Sequence, residues 1–211
     1  MSRTAPRAAG LAGLGLLVLT ACTGTPAAPP TPSIGTLVST ARATASAGPA
    51  TGTPDASKPA TWVSLAAGST TQCEAGTGYA IHGAGDYWLT GDCDAVSLSA
   101  DGSDVESAGP IAVLTVQGDN NDVDARAVAA LKVSGDGNDL ETDDVTNGSV
   151  SGQDNDLSLT SANALLVNGD HNSFEVETRI GLLTINGNDN EVEAQSIEKR
   201  DVVGDGNRIT P

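Results

Sequence analysis

The 211-residue chain predicts an all-β fold, a parallel β-solenoid of about eight coils, each 17–18 residues long. Three observations predict it. The first is a phrase of the form apolar–polar–Gly–Asp–x–Asn–x–apolar that keeps returning. Its glycine column runs Gly83, Ala100 (a substitution), Gly118, Gly135, Gly152, Gly169, Gly187 and Gly204, at intervals of 17 or 18. Self-similarity at a fixed period of this length marks stacked coils, one per repeat. The second is alternation. Two residues before the glycine stand Ile81, Leu98, Val116, Val133, Val150, Val167, Ile185 and Val202. Five residues after it stand Trp88, Val105, Val123, Leu140, Leu157, Phe174, Val192 and Ile209, with polar residues at most of the positions between. That pattern is a strand with one face buried on each side of a turn. The third is composition. Aromatics make up 2% of the chain and charged residues 18%, with 25 glycines, so the core must be Val, Leu, Ile and Ala rather than a helical bundle.

The elements follow in order. Residues 1–21 read as an export signal: Arg3 and Arg7, then an apolar run from Ala8 to Leu19. That run is too short to stay as a spanning helix. It ends in Leu19-Thr20-Ala21-Cys22, the wording of a lipobox, which makes Cys22 the lipidated residue. Acyl chains contribute about 0.8 kcal/mol per buried methylene, so several chains make a durable anchor. Residues 22–60 comprise that cysteine and a linker holding seven of the ten prolines with much Thr, Ser and Ala. No apolar period runs through it, which predicts a disordered tether. Residues 61–211 carry the repeat. Cys73 and Cys93, near its start, are expected to be disulfide-bonded, because an exported chain with two cysteines favours a bond over a four-ligand metal site.

Each coil is read as two short strands flanking a glycine turn, and the stack as two parallel sheets around a thin core. Glycine at the turn permits positive φ where the chain bends. Three residues later come Asn121, Asn138, Asn155, Asn172, Asn190 and Asn207. Strands in a stack lie about 4.8 Å apart, so six amides at one register predict an Asn ladder running from coil to coil.

With its lipobox, its Pro/Thr tether and the repeated "GDNNDV", "GDGNDL", "GDHNSF" and "GDGNRI", the chain resembles actinobacterial lipoproteins carrying domain of unknown function 3060, over residues 73–210. The resemblance implies a β-solenoid-like domain in the cell envelope. It implies no activity and no site.

Charge narrows the partners. From Thr61 onward there are six basic residues and twenty-six acidic ones, a surface that repels nucleic acid and anionic headgroups. The acids fall in two outward columns: Asp104, Asp122, Asp139, Asp156 and Glu191, then Glu106, Asp124, Glu141, Glu175 and Glu193. The outward column of the other strand is largely neutral: Ser97, Thr115, Lys132, Ser149 and Thr184. The acids serve solubility first, since charge discourages stray β-pairing. A second reading is cation binding, with Asp104, Asp122, Asp139 and Asp156 offering oxygens to calcium, which wants six to eight of them. A third is a basic protein or peptide partner. No cofactor is otherwise expected.

An enzyme is not expected either. A polysaccharide-acting solenoid would need a groove built from long insertions, and the coil length never leaves 17–18 residues. His82 and His171 sit in different coils, Arg126, Lys132 and Arg179 are scattered, and no nucleophile motif is present. Lys199, Arg200 and Arg208 gather at the last coil and are read as guarding its open edge. The sequence thus predicts a lipoprotein on the extracytoplasmic face of the cell membrane. It is held by lipid on Cys22 and displays a structural or binding module to an envelope protein or glycan.

Overall fold

The computed structural model describes residues 58–210. The predicted leader 1–21, Cys22 with its predicted lipid and linker residues 23–57 lie outside the described residues. Thirteen strands follow one another with no helix between them: β1 (Thr61–Ser64), β2 (Ser69–Gln72), β3 (Thr77–Ile81), β4 (Asp86–Thr90), β5 (Cys93–Ser99), β6 (Asp104–Ser107), β7 (Ile111–Gln117), β8 (Asp122–Ser134), β9 (Asp139–Ser151), β10 (Asp156–Asn168), β11 (Ser173–Asn186), β12 (Glu191–Val203) and β13 (Arg208–Thr210). Every pairing is parallel and joins a strand to its equivalent one coil away. The chain is a parallel β-solenoid.

It has about nine coils, one more than the repeat marks. The extra coil is β1 with β2, which pair with β3 and β4 from the N-terminal side. Its turn reads Leu65-Ala66-Ala67-Gly68 and lacks the Gly–x–x–Asn wording, so no periodic signal announces it.

The two-sheet layout also changes. Short paired strands hold through β7, but from β8 the strand leaving one turn continues unbroken to the next, and all thirteen join in one wound sheet. The buried residues of β8 are Val123, Ala125, Val128, Leu131 and Val133. They stand two apart at the ends and three apart in the middle. Each three-residue step is a bend that turns the chain around the core without interrupting the pairing. In β11 a bulge between Val176 and Arg179 adds the residue that lengthens the interval from Gly169 to Gly187.

Trp88 is not a core residue. The turn from Ile81 to Asp86 is one residue shorter than that from Leu98 to Asp104, as the strand registers show. One residue flips a strand's faces. Tyr87 and Leu89 are therefore buried, while Trp88 is 39% exposed and lies beside Glu106.

Elsewhere the inward columns form one continuous core of Val, Leu, Ile and Ala with a single Phe174. Each fully buried large side chain contributes about 1.5–3 kcal/mol, so the thin core draws its strength from length. Cys73 and Cys93 are bonded, with Cα atoms 5.0 Å apart and 20 residues between them in sequence. The closed loop encloses β3 and β4, one full coil, and contributes about 3 kcal/mol by restricting the unfolded chain. At the far end Arg200 stands in register with the buried Leu183 but is itself exposed. A charge occupies the core column of the last coil, where a further strand would otherwise stack. Arg208 pairs with Glu191 at 3.1 Å.

Candidate functional site

The turn stack is built from three columns. At Gly118, Gly135, Gly152, Gly169 and Gly204 the φ angle lies between 122° and 155°, a region closed to side-chain-bearing residues. Two residues later the chain enters the left-handed region, occupied by Gly102, Asn120, Gly137, Asp154, His171, Asp189 and Gly206. These are the residue types that tolerate it. The next residue is the asparagine.

Asn121, Asn138, Asn155, Asn172 and Asn190 are each 1% exposed. The Nδ2 of each donates to the Oδ1 of the asparagine in the next coil, at 2.9–3.1 Å, from Asn121 up to Asn207. The same Oδ1 accepts the backbone N–H of the lower asparagine, as Asn155 Oδ1 does from Asn138 N at 3.0 Å. The second Nδ2 proton of Asn155 goes down to the Gly135 carbonyl at 3.0 Å. Each central amide thus makes two donations and two acceptances, which is why it can be buried. Ser103 closes the ladder at its N-terminal end, its backbone N–H donating to Asn121 Oδ1 at 3.0 Å. No buried side-chain nitrogen or oxygen among the described residues lacks a partner.

A second ladder runs the opposite way and escaped the sequence reading. The backbone N–H groups of Asp119, Asp136 and Gln153 each donate to a carboxylate one coil below: Asp101, Asp119 and Asp136, all at 2.8 Å. Asp170 accepts Asn188 N at 2.6 Å, and Asn188 Oδ1 accepts Asp205 N at 2.9 Å. The signal was present as Asp101, Asp119, Asp136, Asp170 and Asp205, each directly after the glycine-column position. It reads as an ordinary turn residue until its partner a coil away is known.

The acidic columns lie on the outward face after the turn. Asp86, Asp104, Asp122, Asp139 and Asp156 are direct neighbours in successive coils, as are Glu106, Asp124 and Glu141. Burial, then the neighbouring Asp122 and Asp156, raises the Asp139 carboxyl above its ordinary value. Burial, then Asp122, Asp86, Glu106 and Asp124, raises Asp104. Open hollows lie on this side. One of about 350 Å³ is walled by six carboxylates of both columns. Another of about 470 Å³ holds Arg126 among Glu141, Asp143, Glu175 and Glu177.

Among the described residues no group of three or more His, Cys, Asp or Glu side chains is placed to hold a metal ion. Asp104, Asp122, Asp139 and Asp156 are spread one per coil along the stack, so the calcium reading gains no ligand set from the fold. His82 and His171 are exposed in different coils, and His171 lies 3.8 Å from Asp189.

A raised carboxyl pKa sets the sign of a pH effect. The folded state holds the proton more tightly than the unfolded chain, so stability falls as pH rises from the ordinary value of 3.8 through the raised one. Asp139→Asn is therefore expected to raise stability at pH 7 by about 0.5 kcal/mol, the scale of exposed charge interactions. It should do nothing well below pH 3.8, where the carboxyl is protonated in the folded and unfolded states alike. Denaturant midpoints at the two pH values check it. A loss of stability at pH 7 would show that the carboxylate is held by an attractive partner instead.

Fold and surface define a class of protein: a disulfide-closed parallel β-solenoid with laddered turns and a strongly acidic flank. The family described as Protein of unknown function (DUF3060) matches residues 167–211, the last coils, rather than the 73–210 over which the wording of the repeat runs. No curated protein and no solved structure matches the chain.

Proposed function

We propose that this chain is an exported lipoprotein of the kind found in actinobacterial envelopes, anchored through acylated Cys22. It displays the solenoid on the extracytoplasmic face as a structural or binding module rather than as an enzyme. The observation that carries the anchor is the Leu19-Thr20-Ala21-Cys22 motif closing a short apolar run. The reading of the solenoid as a display module rests on its uniform coils. The turns are short, the outer faces are flat or shallowly hollowed, and the buried polar groups are spent on holding coil to coil. Cys22→Ala is expected to move the protein from the membrane fraction to the soluble exported fraction. Unchanged partitioning with membranes would overturn the anchor.

A further inference from the structure

The acids are not spread evenly round the solenoid. On the face before the turn, three outward columns run the length of the stack. One is Trp62, Gly78, Ala95, Val113, Ala130, Asn147, Ala164 and Leu182. The next is Ser64, Ala80, Ser97, Thr115, Lys132, Ser149, Leu166 and Thr184, and beyond it lie Ser99, Gln117, Ser134, Ser151, Asn168 and Asn186. Not one carboxylate stands in them before Asp201 in the last coil, although twenty-six acids follow Thr61. This face is hydroxyl, amide and apolar side chains, the exposed Leu166 and Leu182 among them toward its far end, with Lys132 as its one charge before the last coil. Solubility does not call for that choice, because it forgoes the charge used everywhere else.

At the N-terminal end of this face lies Trp62, 48% exposed. A Cβ added to Gly78 would stand 2.8 and 2.9 Å from the two ring-fusion carbons of Trp62. Near-equal distances to both fusion atoms mean the indole lies flat across Gly78, beside Pro59, whose Cγ would stand 2.9 Å from the same point. Only glycine allows this, since any side chain there would lift the ring. Beside the indole is a hollow of about 340 Å³, bordered by Lys58, Ala95, Ser97, Val113 and Thr115. A flat aromatic ring, hydroxyls at strand spacing and no carboxylates make a surface for a partner that is itself flat, uncharged and rich in hydroxyls.

We infer that this face is a glycan-binding platform: Trp62 stacks on the C–H face of a pyranose ring, and Ser97 and Thr115 hydrogen-bond to its hydroxyls. The electrostatics favour a neutral chain, because the acidic flank repels a polyanion from either side. The inference deepens the display reading by naming what is displayed to, but it does not need the anchor.

The full chain carrying Cys22→Ala and Trp88→Phe leaves Trp62 as the sole tryptophan reporter and removes any dependence on lipid. Its emission is followed during titration with chitohexaose, cellohexaose and maltohexaose. At least one is expected to shift the Trp62 emission saturably. Trp62→Ala, followed by calorimetry, should weaken that binding by about tenfold, the size of one lost stacking contact. Gly78→Val, which lifts the ring while leaving it present, should do the same, and Trp62→Phe should restore most of the affinity. Silence of Trp62 toward all three sugars would overturn the platform, as would binding that survives Trp62→Ala. A concentration-dependent dimer abolished by Thr115→Arg would overturn it too, by assigning the face to a second copy of the chain. Failure of membrane anchorage leaves every one of these readouts intact.

Discussion

Asn155→Ala is expected to destabilise the domain by about 3–5 kcal/mol, measured as a fall in the denaturant midpoint. The change strands the backbone N–H and one Nδ2 proton of the buried Asn138, and the half-buried carbonyl of Gly135. Each unpaired buried polar group costs about 1–3 kcal/mol, and Asn155 is itself 1% exposed, so the vacated position does not face solvent. Asn207→Ala is the comparison. It removes three side-chain hydrogen bonds, to Asn190 and Gly187, against four at Asn155, and it lies in the last coil, where Asn207 is only partly buried. Water can occupy the vacated position there, so the expected cost is about 1 kcal/mol. The difference between the two rungs is thus more one of solvent access than of the single extra bond at Asn155. Equal and small effects at both positions would mean that the asparagines merely suit the turn and that the ladder contributes nothing net.

Gly152→Ala should cost about 3 kcal/mol or more, for two reasons that act together. Its φ of 137° belongs to glycine alone, and a Cβ at this position would overlap the carbonyl oxygen of Gly135 in the coil below. The alanine must either distort its own turn or push the two coils apart, and pushing them apart lengthens the asparagine bonds on the same turn. Gly137→Asn is the control from the neighbouring column. Its φ of 66° is matched by Asn120, Asp154, His171 and Asp189, which already carry side chains at equivalent positions. That substitution is expected to stay within about 1 kcal/mol, since asparagine is among the few residues that accept the left-handed region. Thermal and denaturant unfolding of the two variants separates the column that requires glycine from the one that only favours it. A Gly152→Ala protein as stable as the parent would mean that the turns shift freely, and the close contact between coils would not be a constraint. Ala100 shows how the column tolerates an exception. It is not among the residues of positive φ, and it follows the shortened turn between Ile81 and Asp86.

The sequence by itself determined the solenoid, its 17- to 18-residue period, its inward columns and the asparagine register. Each of these repeats, and a pattern that returns every 17 or 18 residues admits few other folds. It also determined which acids become neighbours, because in a parallel stack residues one period apart meet directly. Tertiary structure alone decided what depends on a single residue. The shortened turn before Asp86 sends Trp88 outward and Tyr87 inward, since side chains alternate with period two and one missing residue reverses them. The first coil has no glycine–asparagine turn and is recognised only by the strands it pairs with. The paired bends in β8 to β12 merge two strands into one, and their three-residue inward steps blur the alternation from which separate strands were read. The aspartate ladder and the indole lying on Gly78 are contacts between coils, set by backbones that approach within a strand spacing across a long stretch of chain. Local pattern carries the direction in which a side chain points. The partner it finds a full coil away is a distance in space, and only the stacked structure supplies it.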